Sequence, residues 1–370
     1  MQRGSAKAVR PRDAVSALVL ADKTYANQLK GAAILEPIAL RQPLHPGVAH
    51  YLIHLYDYPS IADKGVEAAR RYAKIAPDAP HALHMPSHIF TRVGYWSESI
   101  ASNVASARSA KGSSDFSDEL HAMDYLVYAY LQLGQDDKAK AVVDEMGKVT
   151  GFSETFIPGP YAEAASPARY VLERGDWKAA EALTVRPSPL ANVQAISYFA
   201  RALGAARAGD PEAAKPDIAR LGELRDKLRE AKDAYWSEQV DIQARIASAW
   251  VLYAEGKKDD ALKAMSDAAD AEDRTEKHPV TPGTPKPARE LYGEMLLDNG
   301  RAADALTAFE ATLKKEPNRL GAYAGAARAA AQIGDTAKAR EYFGKIVEQA
   351  GSGDSTRTEV ADARNYLAGR

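Results

Sequence analysis

Apolar positions along the chain follow a helical period, in segments that come in pairs with a glycine between them. The clearest pair is residues 287–319, in which Gly300 separates the two segments and Ala305 follows five residues later. Gly334 and Ala339 repeat this spacing thirty-four residues further on. Glycine suits the left-handed turn that ends a helix, and alanine lets two helices approach closely. The pattern therefore predicts helical hairpins that repeat along the chain.

The same signal divides most of the chain into hairpins. Six of the seven turn glycines are followed five residues later by alanine, and the exception is Gly94, which is followed by Ser99. Eight hairpins are predicted, with no alternating strand pattern between them. A partial hairpin precedes them, and a capping helix follows at about 355–368. Their starts are predicted near residues 46, 80, 120, 161, 195, 242, 286 and 320.

Four regions follow from these signals. Residues 1–45 are predicted to be a partial or truncated leading hairpin, and residues 46–151 to be histidine-rich hairpins. Residues 152–285 are predicted to be divergent hairpins with a proline-rich loop, and residues 286–370 to be regular hairpins with the capping helix. The basic N-terminal segment lacks a signal-peptide core, so we expect a truncated or shifted start.

The Gly, Ala and aromatic positions of 286–350 strongly resemble the tetratricopeptide repeat family, and the rest of the chain resembles it moderately. The resemblance implies an all-α, right-handed α-solenoid that acts as a protein-binding scaffold. It also implies that the first helix of each hairpin lines a concave groove that takes a protein or peptide. The segments HPGVAHYLIH and HALHMPSHIF are similar to a group of bacterial tetratricopeptide proteins with a histidine-rich N-terminal half and no established role.

Histidines cluster in the N-terminal half of the chain, where seven of the eight lie between residues 45 and 121. His50 and His54 are four residues apart, and His84 and His88 repeat that spacing one hairpin later. Residues four apart share one helix face, and the resemblance places these positions in the groove. We therefore expect these four imidazoles to converge on one patch.

Such a patch is a candidate site for a divalent transition metal, with zinc as the expected ion. The absence of cysteine excludes thiolate ligands. Asp57 or Asp124 is expected to accept hydrogen bonds from the imidazoles. Pro86 leaves two local structures open, because it either kinks a helix or starts one at Met85 with HALH extended. The predicted metal-binding residues are His50, His54, Asp57, His84, His88 and His121.

Four functions remain open at this stage. The groove binds a metal, or it binds a peptide or small ligand without metal, or a three-histidine metal activates water as in a hydrolase. Glu98 and Asp124 are weak candidates for the acid or base of such a hydrolase. A metal-free protein scaffold is a further alternative. The predicted ligand-binding residues are Tyr58, His81, Arg92, Asp124, Tyr128 and His278.

Composition limits the classes of partner that we expect for this protein. The net charge of −2 gives no basic footprint for nucleic acid, and no apolar run reaches the length of a membrane span. We expect a soluble protein, cytoplasmic as written or periplasmic if an upstream signal is missing. The proline-rich stretch 276–287 is predicted to border the groove. Glu290 and Glu294 lie at groove positions of their repeat and are predicted to form a solvated helix face, with a patch for a cationic ligand as the alternative.

Overall fold

The computed structural model describes residues 22–350 and 355–369, and within these ranges it contains helices and no strands. A short 3-10 helix, Ala62–Gly65, precedes the helix Val66–Ile75. The α-helices are α1 Ala26–Arg41, α2 Pro46–Tyr56, α3 Val66–Ile75, α4 Pro80–His84, α5 Pro86–Arg92, α6 Trp96–Ser113, α7 Phe116–Gln132, α8 Asp136–Met146, α9 Pro158–Glu173, α10 Trp177–Glu181, α11 Ala191–Arg207, α12 Pro211–Glu230, α13 Ala234–Ala254, α14 Lys258–Asp273, α15 Ala288–Asp298, α16 Ala302–Lys315, α17 Leu320–Gln332, α18 Thr336–Ala350 and α19 Thr358–Leu367.

These helices form eight hairpins that begin at residues 46, 80, 116, 158, 191, 234, 288 and 320, with α1 before them and α19 after them. The all-α repeat prediction is confirmed. The largest difference is the sixth hairpin, which begins at 234 rather than near 242. Asp233 accounts for this earlier start, because its side chain accepts a hydrogen bond from the backbone N–H of Trp236 and caps α13.

The predicted turn glycines all adopt left-handed backbone, with φ between 64° and 90°. The alanines five residues after them are fully buried, at 0% exposure, where the two helices of a hairpin cross. Gly300 and Gly334 therefore occupy the same position one repeat apart, as predicted. The sequence spacing thus reflects one backbone requirement and one packing requirement.

The solenoid turns back on itself, so that its last hairpin contacts its second and third. The indole N–H of Trp96 donates to the backbone oxygen of Asn318 at 2.9 Å. The backbone N–H of Leu320 donates to Oε1 of Gln132 at 2.9 Å. Closure of this kind converts the inner positions of the repeats into a buried interior.

A buried arginine holds this closure together. Arg319 contacts Glu290 at 2.8 Å and Glu173 at 2.7 Å, and it donates to the hydroxyl of Tyr128 at 2.7 Å. Glu290 and Glu294 do not lie on a solvated face, so that prediction was wrong. The reason is that Arg319 of the following hairpin pairs with Glu290, and closure then buries the pair against Tyr128 and Glu173.

Residues 274–287, which we call the central loop, run between α14 and α15 through the concave side. The hydroxyl of Tyr125 donates to the backbone oxygen of Thr281 at 3.1 Å. Arg169 donates to the backbone oxygen of Thr284 at 2.7 Å. Tyr125 and Arg169 belong to first helices of hairpins, so the prediction that this stretch borders the groove is confirmed. The loop also fills the groove.

The left-handed backbone of the turn glycines predicts opposite effects on stability for two Gly→Ala substitutions. Gly300→Ala should destabilise the protein by about 1 kcal/mol, because its φ of 70° is unfavourable for alanine although no atom crowds the added methyl. Gly344→Ala, in the middle of α18 and equally uncrowded, should stabilise it by about 0.5–1 kcal/mol. Urea unfolding of both variants measures this. If both substitutions change the stability in the same direction, the repeat assignment is contradicted.

Closure also predicts a large effect at Arg319. Arg319→Met should cost about 3–5 kcal/mol, since it removes the cation that contacts both buried carboxylates and leaves Glu290 with only Lys286, at 3.6 Å. The matched control is Arg328→Met, which breaks only the exposed pair with Asp362 and should cost less than about 1 kcal/mol. Denaturant midpoints of the two variants compare them. A similar small cost for both would show that closure does not depend on Arg319.

Candidate metal centre

The histidines form two groups of three rather than the single patch expected. In each group, every side chain offers one ligand atom within 4.8 Å of those of the other two. His84, His88 and His121 form the inner triad, which is buried. His50, His54 and His81 form the outer triad, which is partly exposed. The single-patch expectation is corrected because His81 turns towards α2 whereas His121, from α7, joins the other pair.

Local structure around Pro86 places the inner pair. Residues 80–84 are helical, so the alternative with HALH extended was wrong. Met85 keeps helical backbone between α4 and α5, and the hydroxyl of Ser87 donates to the His84 backbone oxygen at 2.7 Å. The interruption between α4 and α5 at Met85 therefore leaves the side chains of His84 and His88 on the same face, with their Nε2 atoms 3.1 Å apart.

Both inner imidazoles are held by an acceptor at Nδ1. His84 Nδ1 lies 2.7 Å from Oδ1 of Asn103, whose amide group donates to the backbone oxygen of Ser99 and so directs Oδ1 to the ring. His88 Nδ1 lies 3.0 Å from Oδ2 of Asp57. Because an amide oxygen and a carboxylate only accept, each Nδ1 carries the proton and each Nε2 presents a lone pair.

Asp57 stays a carboxylate in this environment. Burial alone would raise its pKa, but Lys277 and Arg92 hold the pKa of Asp57 well below its usual range. Lys277 lies 2.8 Å from Oδ2 and Arg92 lies 2.8 Å from Oδ1. Burial lowers the pKa of His88 to about 4, even beside Asp57. The pKa of His84 is lowered well below its usual value by burial and by the neighbouring imidazoles.

Two neutral imidazoles therefore aim lone pairs at each other across 3.1 Å. No hydrogen lies between them in these tautomers, so the contact is repulsive unless a cation occupies it. Tetrahedral zinc with Zn–N bonds of 2.0–2.1 Å sets ligand nitrogens about 3.3–3.4 Å apart. The observed spacing is close to that value. Rings of His84 and His121 lie 4.2 Å apart, which brings a third imidazole to the same place.

The outer triad has the same spacing around His50. Its Nε2 lies 3.1 Å from Nε2 of His54 and 3.2 Å from Nε2 of His81. One ring nitrogen offers one in-plane donor or acceptor, so His50 cannot make good hydrogen bonds to both neighbours. Burial and the adjacent imidazoles lower the pKa of His50 to about 4, which favours a neutral ring.

The remaining predicted residues have internal contacts. Asp124 contacts Ser166 at 3.1 Å and Arg169 at 3.6 Å, so of the two acceptors expected, Asp57 or Asp124, it is Asp57 that accepts from a histidine. Tyr128 contacts Arg319. His278 stacks on Trp236 at 5.1 Å between ring centroids.

Tyr58 packs against Tyr25 at 5.1 Å. Glu98 is exposed on α6, the second helix of its hairpin.

Sequence reasoning missed two residues of the site, Asn103 and Lys277. Asn103 lies on a second helix, a position that the resemblance places outside the groove. Its signal was the polar series Ser99, Asn103 and Ser106 on one face of α6, where apolar residues are usual; all three are fully buried. Lys277 carried no sequence signal, because only closure of the solenoid brings it to Asp57.

The comparisons agree with the fold. Residues 296–355 match the family model described as tetratricopeptide repeat, and the eight hairpins of the chain form a solenoid that resembles this repeat type. No curated protein sequence matches the chain. In the described part of the chain, no helix is long and apolar enough to cross a membrane.

Matches among solved structures include the TPR domain of P58(IPK), at 13% identity, with 93% of this chain and 94% of that chain covered and a TM-score of 0.29. Yeast Tom70 matches at 11% identity, 97% and 96% coverage and a TM-score of 0.31. The APC/C hetero-tetramer Cut9–Hcn1 matches at 11% identity, with 98% of this chain and 83% of that chain covered and a TM-score of 0.33. These values are too low to carry over a function.

Acid should destabilise the metal-free protein through the inner triad. The pKa of His88 is about 4 when folded and about 6.5 when unfolded, so only the unfolded state takes up protons between these values. Its stabilising effect is complete above pH 6.5 and is lost as the pH falls towards 4. Glu272, whose pKa burial raises to about 7, acts in the opposite direction.

Comparing variants separates the effect of the histidines from that of Glu272. Urea unfolding in EDTA at pH 7, 6, 5 and 4.5 should show a smaller acid loss in His84→Leu than in the unmodified protein. Each buried histidine contributes up to about 1.4 kcal/mol per pH unit within the window. Parallel pH curves for the two proteins would contradict the assignment of neutral inner imidazoles.

Proposed function

We propose that this chain is a metal-binding tetratricopeptide scaffold in which the inner triad holds one divalent ion, with zinc as the expected ion. His84, His88 and His121 supply the ligand nitrogens, and Asn103 and Asp57 orient two of the rings. The observation that carries the proposal is the pair of bare Nε2 atoms 3.1 Å apart, each with its other nitrogen committed to an acceptor. Orientation by such acceptors is typical of metal-binding histidines.

The choice of ion follows from the donors. Three neutral imidazoles without carboxylate or thiolate suit zinc, copper, nickel or iron and exclude the hard ions magnesium and calcium. The three side chains are at most 8% exposed, and Tyr125 packs against His84 and His88 at 4.7 and 5.3 Å between ring centroids. Burial favours an ion that stabilises the fold over an ion that activates water for a substrate, so the hydrolase is the weaker alternative.

A protein partner, supported by the family match, would use a surface other than the usual groove. Groove candidates Arg92, Asp124 and Tyr128 are buried, and each contacts an internal charged group. A peptide in the groove would first have to displace the central loop, at the cost of its hydrogen bonds to Tyr125 and Arg169. We therefore propose that the interior serves the metal and that partners bind outside it.

Metal analysis of protein purified without a histidine tag tests the proposal. The unmodified chain should retain zinc, and zinc added to stripped protein should raise its melting temperature. His84→Leu should lose one equivalent while keeping its helical circular dichroism. Stripped protein that gains no stability from zinc, nickel or copper would sink the metal proposal and return the groove-ligand alternative.

A second variant separates orientation from ligation. Asn103→Leu removes the acceptor at His84 Nδ1 and leaves the three ligands, so zinc affinity should fall about 10–100-fold. His45→Asn is the matched control, because His45 caps α2 through a hydrogen bond with the Val48 N–H and lies outside both triads. Competition with a chromogenic chelator measures both affinities. An unchanged affinity in Asn103→Leu would show that the inner triad is not the site.

A further inference from the structure

The outer triad differs from the inner triad in its surroundings. His81 is exposed, and His50 and His54 are only partly buried, so an ion bound there is reachable from solvent. The two triads share no residue, although rings of His54 and His88 lie 6.0 Å apart. Whatever occupies the inner triad, the outer triad therefore presents its own set of three nitrogens.

A cavity of about 650 Å³ adjoins this triad, and His54 belongs to both. Its walls come from α1, from the end of α2 and from the central loop. This volume is in the range of small-molecule sites, which are mostly apolar with a few placed polar groups. The apolar lining includes Ile34, Leu35, Leu55, Pro279 and Val280.

Charge decides what head group fits beside the triad. Imidazole is uncharged when it binds a metal, so an ion held by three imidazoles keeps its full charge and favours an anionic fourth ligand. Two carboxylates line the cavity and both already have partners: Asp57 is shared by His88, Arg92 and Lys277, and Glu276 is bound by Lys23 and Tyr25. The anion must therefore come from outside the chain.

We propose that the outer triad holds a second, exchangeable divalent ion, and that this ion with the adjoining cavity binds an apolar small molecule carrying one carboxylate. The carboxylate completes the coordination of the ion, and the hydrocarbon part lies against α1 and the central loop. This inference goes beyond the proposed function and does not rest on it, because it uses different ligands.

Cobalt provides the probe for the metal step. Stripped protein loaded with Co²⁺ should bind two equivalents, and His50→Gln should bind one. His84→Leu should also bind one, but by losing the inner ion. The two variants thus distinguish failure of this inference from failure of the proposed function. If His50→Gln binds as much Co²⁺ as the unmodified chain, the second site is refuted.

Octanoate provides the probe for the cavity. It should change the visible spectrum of the Co²⁺-loaded protein at a concentration at least tenfold lower than acetate does, because only octanoate buries a hydrocarbon chain. His50→Gln should abolish this change, and His84→Leu should keep it. If acetate and octanoate change the spectrum at equal concentrations, the proposal that the cavity binds the hydrocarbon part is wrong.

A matched pair of surface variants locates the hydrocarbon. Ile34→Glu places a like charge in the cavity wall at a residue that is 61% exposed, so it should weaken octanoate binding at least tenfold and keep both ions. Leu40→Glu, on the same helix at 80% exposure and outside the cavity, should change neither. Equal effects of the two variants would show that octanoate does not use this cavity.

Discussion

The buried carboxylate of Asp57 is the constraint on which the centre of the molecule depends. A charge removed from water needs partners, and Asp57 takes three of them from two parts of the chain. His88 and Arg92 both approach from α5, and Lys277 approaches from the central loop. The same contacts neutralise the charge, hold the loop inside the solenoid and fix which nitrogen of His88 is free. The packing of the fold and the orientation of the site therefore depend on the same charged contacts.

Much of the fold was predictable because its signals are local. Turn glycines and crossing alanines act within a single hairpin, and their spacing can be read without knowing how hairpins meet. The site was only partly predictable for the opposite reason. Which triad His81 or His121 joins depends on how α2, α4 and α7 face each other. Glu290 was misassigned because its partner Arg319 comes from the next hairpin and is buried only by closure.

The two triads show how one side-chain type can support different chemistry. Around the inner triad, Asn103 and Asp57 fix the rings and protein surrounds the nitrogens, so exchange of an ion requires local opening. Around the outer triad, His81 is exposed and an apolar cavity adjoins His54. The difference arises from depth in the solenoid rather than from the ligands. Equal donor sets can therefore hold a structural ion at one depth and an exchangeable one at another.

Closure also changes the meaning of the repeat architecture. In an open solenoid the inner positions form a binding surface, and polar residues there indicate an external ligand. Here the central loop and the last hairpins cover those positions, so the same polar residues must satisfy one another. Tyr128 illustrates this, since it contacts Arg319 and Glu316 instead of a peptide. Imidazoles that still face each other without a hydrogen between them are the exception in this interior, and that exception is the reason to place a metal there.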